Sequence, residues 1–467
     1  MSAAESQWPA WLRRRTGVEF LGPPKLFFAR LTIALSLGAI LYVGAWNAAK
    51  YPISLGYDAQ PNIDYAHILL DQHHIPRPDQ SAESNQPPGY YFVAEVAARA
   101  GHEIFGWTEA RPFAQLPEAS FRGAQILNVG LVLATALILL ALARLVAPGR
   151  PEVWAASVAF FAFLPVVAKT AAMFHPDTLN MFLSTAALWA ATRIAKSQRV
   201  ELWSVLLLAL ALLAGFLVRA STLFTAIAVA AGFVVAFGSQ AVRAALSRRS
   251  SLVAIVALAA VVGSGWLLVT RSPDLGYFLA HPGARTAVAT RANFADLSIG
   301  QMFRTPYRPN FVNAALPTTY TEIWGDWIGA FAWSGYSGAP WPPALRILED
   351  QAWIGAVPTV LAIAGWLALA AGTRRRPELT ALAVLPFVAL VGYLYRSYQF
   401  ASADGDLLKA TYLLTTAPVW ALGFGTAFGL LGRYPRLRAG LTACLIVFAV
   451  LELRFMLYGI RDHHAIF

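Results

Sequence analysis

Several acids, cations and a histidine stand at the ends of apolar stretches, where an ionisable side chain is costly unless it has a partner, a route to water or a job. Asp58 and Asp64 follow the first apolar run. His175-Pro176-Asp177 interrupts a later one, with Lys169 two turns before it, while Arg219 closes another and Lys409 opens a late one. Two roles suit the mixture. A carboxylate acts as general base on an acceptor hydroxyl, and cations beside it hold and neutralise a departing phosphate or diphosphate. A substrate with a lipid tail, a phosphate and a polar head needs both at one depth. Plain readings stand beside these: Arg219 and Lys409 as cations snorkelling to headgroups, Asp177 as a helix N-cap, Asp58 as a turn residue.

The elements that must position these groups are membrane helices. Hydrophobic residues make up 57% of the chain and charged residues 13%, against about 25% charged in a soluble domain. The net charge of +11 comes from short basic clusters between apolar runs; that is topology rather than a nucleic-acid footprint, so nucleic acid is excluded as a partner. Candidate spans are 27–48, 122–145, 153–173, 178–195, 202–219, 222–241, 252–270, 352–371, 379–397, 409–431 and 439–459. The expected fold is therefore an all-α polytopic membrane protein of about eleven crossings. With the N-terminus in the cytoplasm, the inside loops carry Arg150; Arg193, Lys196 and Arg199; Arg243, Arg248 and Arg249; Arg374, Arg375 and Arg376; Arg433, Arg436 and Arg438. That is the positive-inside bias, and it puts the C-terminus outside. Arg13, Arg14, Arg15 and Lys25 precede the first span without a small-residue cleavage site, so an uncleaved anchor is expected. A lone cysteine, Cys444, allows no intramolecular disulfide.

The chain reads as a single transmembrane domain over 1–467 with two long outer loops, about 49–121 and 271–351, and no separate soluble domain. In the first loop, Ile63, Ala66, His67, Leu70 and His74 share one face of a short helix ended by Pro76. Tyr90, Val93, Ala94, Ala97, Gly101 and Ile104 form a second stripe opened by Pro87 and Pro88. Both are expected to lie along the membrane surface. The second loop is aromatic, with Tyr320, Trp324, Trp327, Trp333, Tyr336 and Trp341 around Glu322 and Asp326. These suit sugar stacking or an interfacial belt. His73, His74, His463 and His464 lack the spacing of a zinc helix. No cofactor is required, though Asp58 leaves room for a divalent cation. No phosphate-binding glycine loop and no nucleophile elbow is present.

In order along the chain, Asp58-Ala-Gln-Pro-Asn62-Ile-Asp64-Tyr65, His74-Ile-Pro76 and Gln86-Pro-Pro-Gly-Tyr90-Tyr91 resemble the first outer loop of GT-C glycosyltransferases. These are integral membrane enzymes that include protein mannosyltransferases and the lipid A aminoarabinose transferase. Arg122 with Asn128, His175-Pro176-Asp177 with Asn180, and Lys409-Ala-Thr-Tyr412 extend the resemblance. It implies a GT-C membrane core with two surface helices, Asp58 as the base, and Lys409, Arg219 and Arg122 at a lipid-phosphate site. It also implies His175, Asp177, Tyr65, Tyr90, Tyr91 and Tyr412 as substrate-binding residues, a polyprenyl-phosphate sugar as donor, and a bacterial inner membrane as location. Ala59 stands where many members carry a second acid, and Asn62 at the usual His position.

The leading expectation is thus sugar transfer from a polyprenyl-phosphate donor in the membrane lipid to an acceptor hydroxyl on the outer face. The acceptor is unspecified. A transporter of lipid-linked sugar and a non-catalytic subunit of the same fold are the alternatives.

Overall fold

The computed structural model describes residues 24–105, 112–113, 116–117, 121–198, 201–246, 263, 291–307, 311–326, 342–401, 405 and 407–458. The expected span 252–270 lies outside these residues except for position 263, as do Trp327, Trp333, Tyr336, Trp341 and the terminal histidines. Helices make up the described fold, apart from a two-residue ladder pairing Pro112–Phe113 with Leu116–Pro117. In chain order they are α1 (Pro24–Lys50), α2 (Ala59–Asp71), α3 (Gly89–Phe105), α4 (Arg122–Val146), α5 (Pro151–Ala162), α6 (Pro165–Ala172) and α7 (Asp177–Ser197). They continue with α8 (Leu202–Val218), α9 (Thr222–Leu246), α10 (Ile299–Arg304), α11 (Ala315–Trp324), α12 (Pro342–Gly372), α13 (Thr380–Gln399), α14 (Ala417–Leu431) and α15 (Pro435–Phe455).

Among the described residues five helices are long and apolar enough to cross a bilayer, and α5 with α6, if taken as one span, would make a sixth. The chain is a multi-pass membrane protein. The expected unbroken span 153–173 is replaced by this pair, bent by 49°. Pro165 is the cause. A proline excludes the preceding residue from the helical region, so Leu164 is extended at φ −87°, ψ 109° and Pro165 restarts a helix at its first turn. The expected span 409–431 likewise begins as a 3₁₀ turn, Ala410–Thr416, before α14. The two short helices expected in the first long loop are α2 and α3.

The bundle packs through small residues. A Cβ added to Gly365 of α12 would fall on the carbonyl of Gly423 in α14, so these backbones touch. Gly365→Ala is expected to lower thermal stability in detergent by about 2 kcal/mol. Gly38→Ala, with nothing within 4 Å, should leave the melting curve no lower.

Basic side chains tie one end of the bundle. Arg150 donates to the Gly429 carbonyl, Arg376 to Val146 and Lys196 to Leu145. Val146 lies about 36 Å along α4 from Arg122, so the end carrying Asp58 is the opposite one.

Candidate functional site

Asp58 precedes α2 with φ 48° and ψ 34°, a left-handed conformation. Its side chain makes no capping bond, which disposes of the helix-cap role such a position usually serves. Both carboxylate oxygens instead accept hydrogen bonds from the Lys409 ammonium, at 2.8 and 3.0 Å. Lys409 opens the 3₁₀ turn and is buried, as is Arg219 at the end of α8. Neither snorkels. Arg219 Nε donates to Asp177 Oδ1 at 2.8 Å, and His175 Nδ1 lies 3.4 Å from the other carboxylate oxygen. The Tyr412 ring gathers two guanidiniums, Arg219 at 5.6 Å and Arg396 at 5.4 Å from its centroid. Acids and cations from five separate chain segments therefore meet at one end of the bundle.

The electrostatics of Asp58 are opposed. Burial would push its carboxyl up, but the Lys409 ammonium, with His175 and Arg219 behind it, more than offsets this and holds the acid below its ordinary value. Glu83, from the link between α2 and α3, is shifted the other way. Burial raises it first and the Asp58 charge adds to this, against Arg219, Lys409 and Arg396. Because the folded Asp58 value is depressed, its contribution to stability is present above about pH 4 and is lost as pH falls through the folded value. Thermal unfolding of the wild type should therefore lose stability at acid pH that Asp58→Asn, which cannot titrate, does not lose.

The first-loop tyrosines are fully buried, and their hydroxyls bond to the protein. Tyr65 stacks on Tyr91 at 3.9 Å and donates to the Gln86 carbonyl. Tyr91 donates to Asn62 Oδ1 at 2.7 Å. The Tyr90 hydroxyl accepts from Asn128 Nδ2 and from the His175 backbone N–H. Asn62 Nδ2 donates to the carbonyls of Tyr57 and Phe174. These four side chains brace the Asp58 turn against the α6–α7 link, and that is where the structure places the residues expected to touch substrate. Arg122 opens α4, half-buried; the charges that lower Asp58 are those of Lys409, His175 and Arg219. Asp64 accepts from Gln60 one helical turn earlier.

Glu83 and Arg396 join the site without having been singled out from the sequence. Arg396 carried a usable signal, because it ends an apolar run at the same side as Arg219. Glu83 carried none. Two aromatic residues of the second long loop are packed rather than presented: Trp324 Nε1 donates to Thr359 at 2.8 Å, and the Tyr320 hydroxyl to the Ala352 carbonyl. Beside the 3₁₀ turn lies an apolar cavity of about 240 Å³, lined by Phe160, Leu164, Leu316, Leu390, Leu413 and Trp420 among others. Among the described residues no three His, Cys, Asp or Glu side chains come together as a metal site.

No family model matches the sequence, and no curated protein sequence matches it either. Solved structures do match. A crystal structure of the Archaeoglobus fulgidus oligosaccharyltransferase with Zn and sulfate superposes at TM-score 0.52 and 12% identity, covering 91% of this chain and 53% of that one. The apo form gives 0.50 and 14%, with 92% and 56% covered. ArnT from Cupriavidus metallidurans bound to undecaprenyl phosphate gives 0.48 at 11% identity, covering 93% and 77%; that score adds no weight. The chain spans a little over half the length of the archaeal structures, and what it shares with them is the GT-C membrane fold.

Proposed function

We propose that the chain is a membrane glycosyltransferase that moves a sugar from a polyprenyl-phosphate donor to an acceptor hydroxyl, with Asp58 as the base. The observation that carries this reading is the ion pair of half-buried Asp58 with buried Lys409 at the left-handed turn, with Arg219, Asp177 and Tyr412 beside it. Support comes from the fold, since the archaeal structures that share it are of an oligosaccharyltransferase.

The arrangement suggests an order of events. Without donor, Lys409 occupies Asp58 and keeps it a poor base. An incoming phosphate competes for the ammonium, and Arg219 and Arg396 add positive charge around Tyr412. As Lys409 turns to the phosphate, burial is left as the dominant influence on Asp58 and makes it more basic. Asp58 then takes the proton of the acceptor hydroxyl, whose oxygen bonds to the sugar carbon as the lipid phosphate leaves. Fixed cations stabilise that phosphate in a partly dry site. The apolar cavity beside Ala410–Thr416 offers a place for part of the isoprenoid tail. The basic end of the bundle marks the cytoplasmic side under the positive-inside bias, so the chemistry faces outward.

The test is reconstitution in vesicles with a polyprenyl-phosphate donor labelled on the sugar, with an acceptor extract or with water as acceptor. Label leaving the lipid in a protein-dependent way is the expected result. Label that crosses the bilayer still attached to its lipid, with no transfer, would make the chain a transporter.

A further inference from the structure

One set of buried polar groups has no part in the proposed reaction, yet it ends at the residue next to Asp58. Lys169, in the last turn of α6, donates to the Glu322 carboxylate at 2.7 Å, to the Glu322 carbonyl at 3.0 Å and to the Gly325 carbonyl. The two side chains are 3% and 0% exposed. Glu322, on α11, also accepts from the Tyr57 hydroxyl. Apolar packing runs alongside, with Tyr57, Met173, Phe311 and Phe455 in one cluster. A buried ion pair is seldom a net gain over apolar packing, because desolvating both charges costs about what their attraction returns. Its geometry is the informative part. Tyr57 is held at its hydroxyl by Glu322 and at its carbonyl by Asn62, and its ring lies 5.8 Å from the Lys409 ammonium. Asp58 follows at φ 48°, a conformation that a residue with a side chain keeps only where its surroundings over-determine it.

We propose that Glu322, held by Lys169, is a positioning residue that acts through Tyr57 to fix the left-handed turn aiming Asp58 at Lys409. The second long loop thereby completes a site begun by the first. The inference rests on reading Asp58 as the acid of the site, and its test does not depend on sugar transfer.

Asp58 is faced by Lys409 from the 3₁₀ turn, His175 from the α6–α7 link, Arg219 from the end of α8 and Glu83 from the first loop; Glu322 is faced by Lys169, Asp326 and Tyr57. The full chain in nanodiscs is treated with dicyclohexylcarbodiimide, which adds to protonated carboxyls, from about pH 4 to about pH 8. The Asp58 adduct is then quantified by mass spectrometry. Wild type should label only at the acid end. In Tyr57→Phe and in the paired Glu322→Leu/Lys169→Met the turn relaxes away from Lys409, and labelling at about pH 6 should rise about tenfold, the effect of a one-unit shift. Tyr307→Phe, on the edge of the same apolar cluster, should label like wild type. Unmoved curves in both test variants overturn the proposal, and so does an equal rise in Tyr307→Phe. If Tyr57→Phe does not fold, Glu322→Leu/Lys169→Met decides, since it removes the acceptor of the Tyr57 hydroxyl without leaving a buried charge unpaired. The expected labelling in a protein that transfers no sugar would keep the positioning role and discard the transferase reading.

Discussion

Asp58→Asn is expected to lower sugar transfer about 10³-fold, the usual worth of a positioned general base, while the donor KM stays level or falls. The direction of the KM change follows from the site. Asp58 is bound at both oxygens by Lys409, so the donor phosphate must compete with a carboxylate for the ammonium. An amide competes less well, and the lipid should bind at least as tightly while the acceptor hydroxyl keeps its proton. Lys409→Met gives the reverse pattern, with donor KM rising steeply because a phosphate contact is gone. Steady-state turnover over a range of donor concentrations separates the two variants. Transfer by Asp58→Asn within about tenfold of wild type would remove Asp58 from the role of base.

Arg219→Met is expected to cost stability and activity together, and a second substitution should separate them. The guanidinium is the partner of Asp177, and both side chains are buried. Removing it strands a carboxylate, at a cost of about 3–5 kcal/mol. Arg219→Met/Asp177→Asn no longer holds an uncompensated charge, so most of that loss should return in the melting temperature. Transfer should not return, because one of the two guanidiniums on the Tyr412 ring is still missing. The comparison is a double-mutant cycle read twice, once by thermal unfolding and once by donor KM and turnover. Full recovery of activity in the double variant would make Arg219 a structural partner of Asp177 and nothing more.

Much of the architecture was legible because membrane helices announce themselves locally. An apolar run of the right length and a basic loop are read without knowing what packs where. The ends of α4, α7, α8 and α13 lie within a few residues of the spans read from hydropathy, while α12 starts at Pro342, well before the expected 352. The break between α5 and α6 was missed because hydropathy has no term for backbone conformation, although Pro165 was in view. Asp58, Asp177, Arg219 and Lys409 stood out because charge at an apolar boundary is unusual on its own. Their pairing was not legible: Asp58 and Lys409 are 351 positions apart, and only the fold joins them. The tyrosines taught a different lesson. Tyr65, Tyr90 and Tyr91 sit in a motif that suggests contact with substrate, and the structure turns all three inward as braces. Glu83 lies in a polar stretch where an acid needs no explanation, so nothing marked it.

The bend between α5 and α6 has a consequence for depth. Taking α5 along the bilayer normal, the eight residues of α6 would rise about 12 Å if straight but only about 8 Å at a 49° tilt. The α6–α7 link, and Asp177 with it, is thereby lowered about 4 Å toward the hydrocarbon. A phosphate carried on an isoprenoid chain would then sink to meet the arginines instead of being plucked upward from among the headgroups. With α5 along the normal, the bend would work as a depth gauge, setting how far below the waterline the charged partners wait.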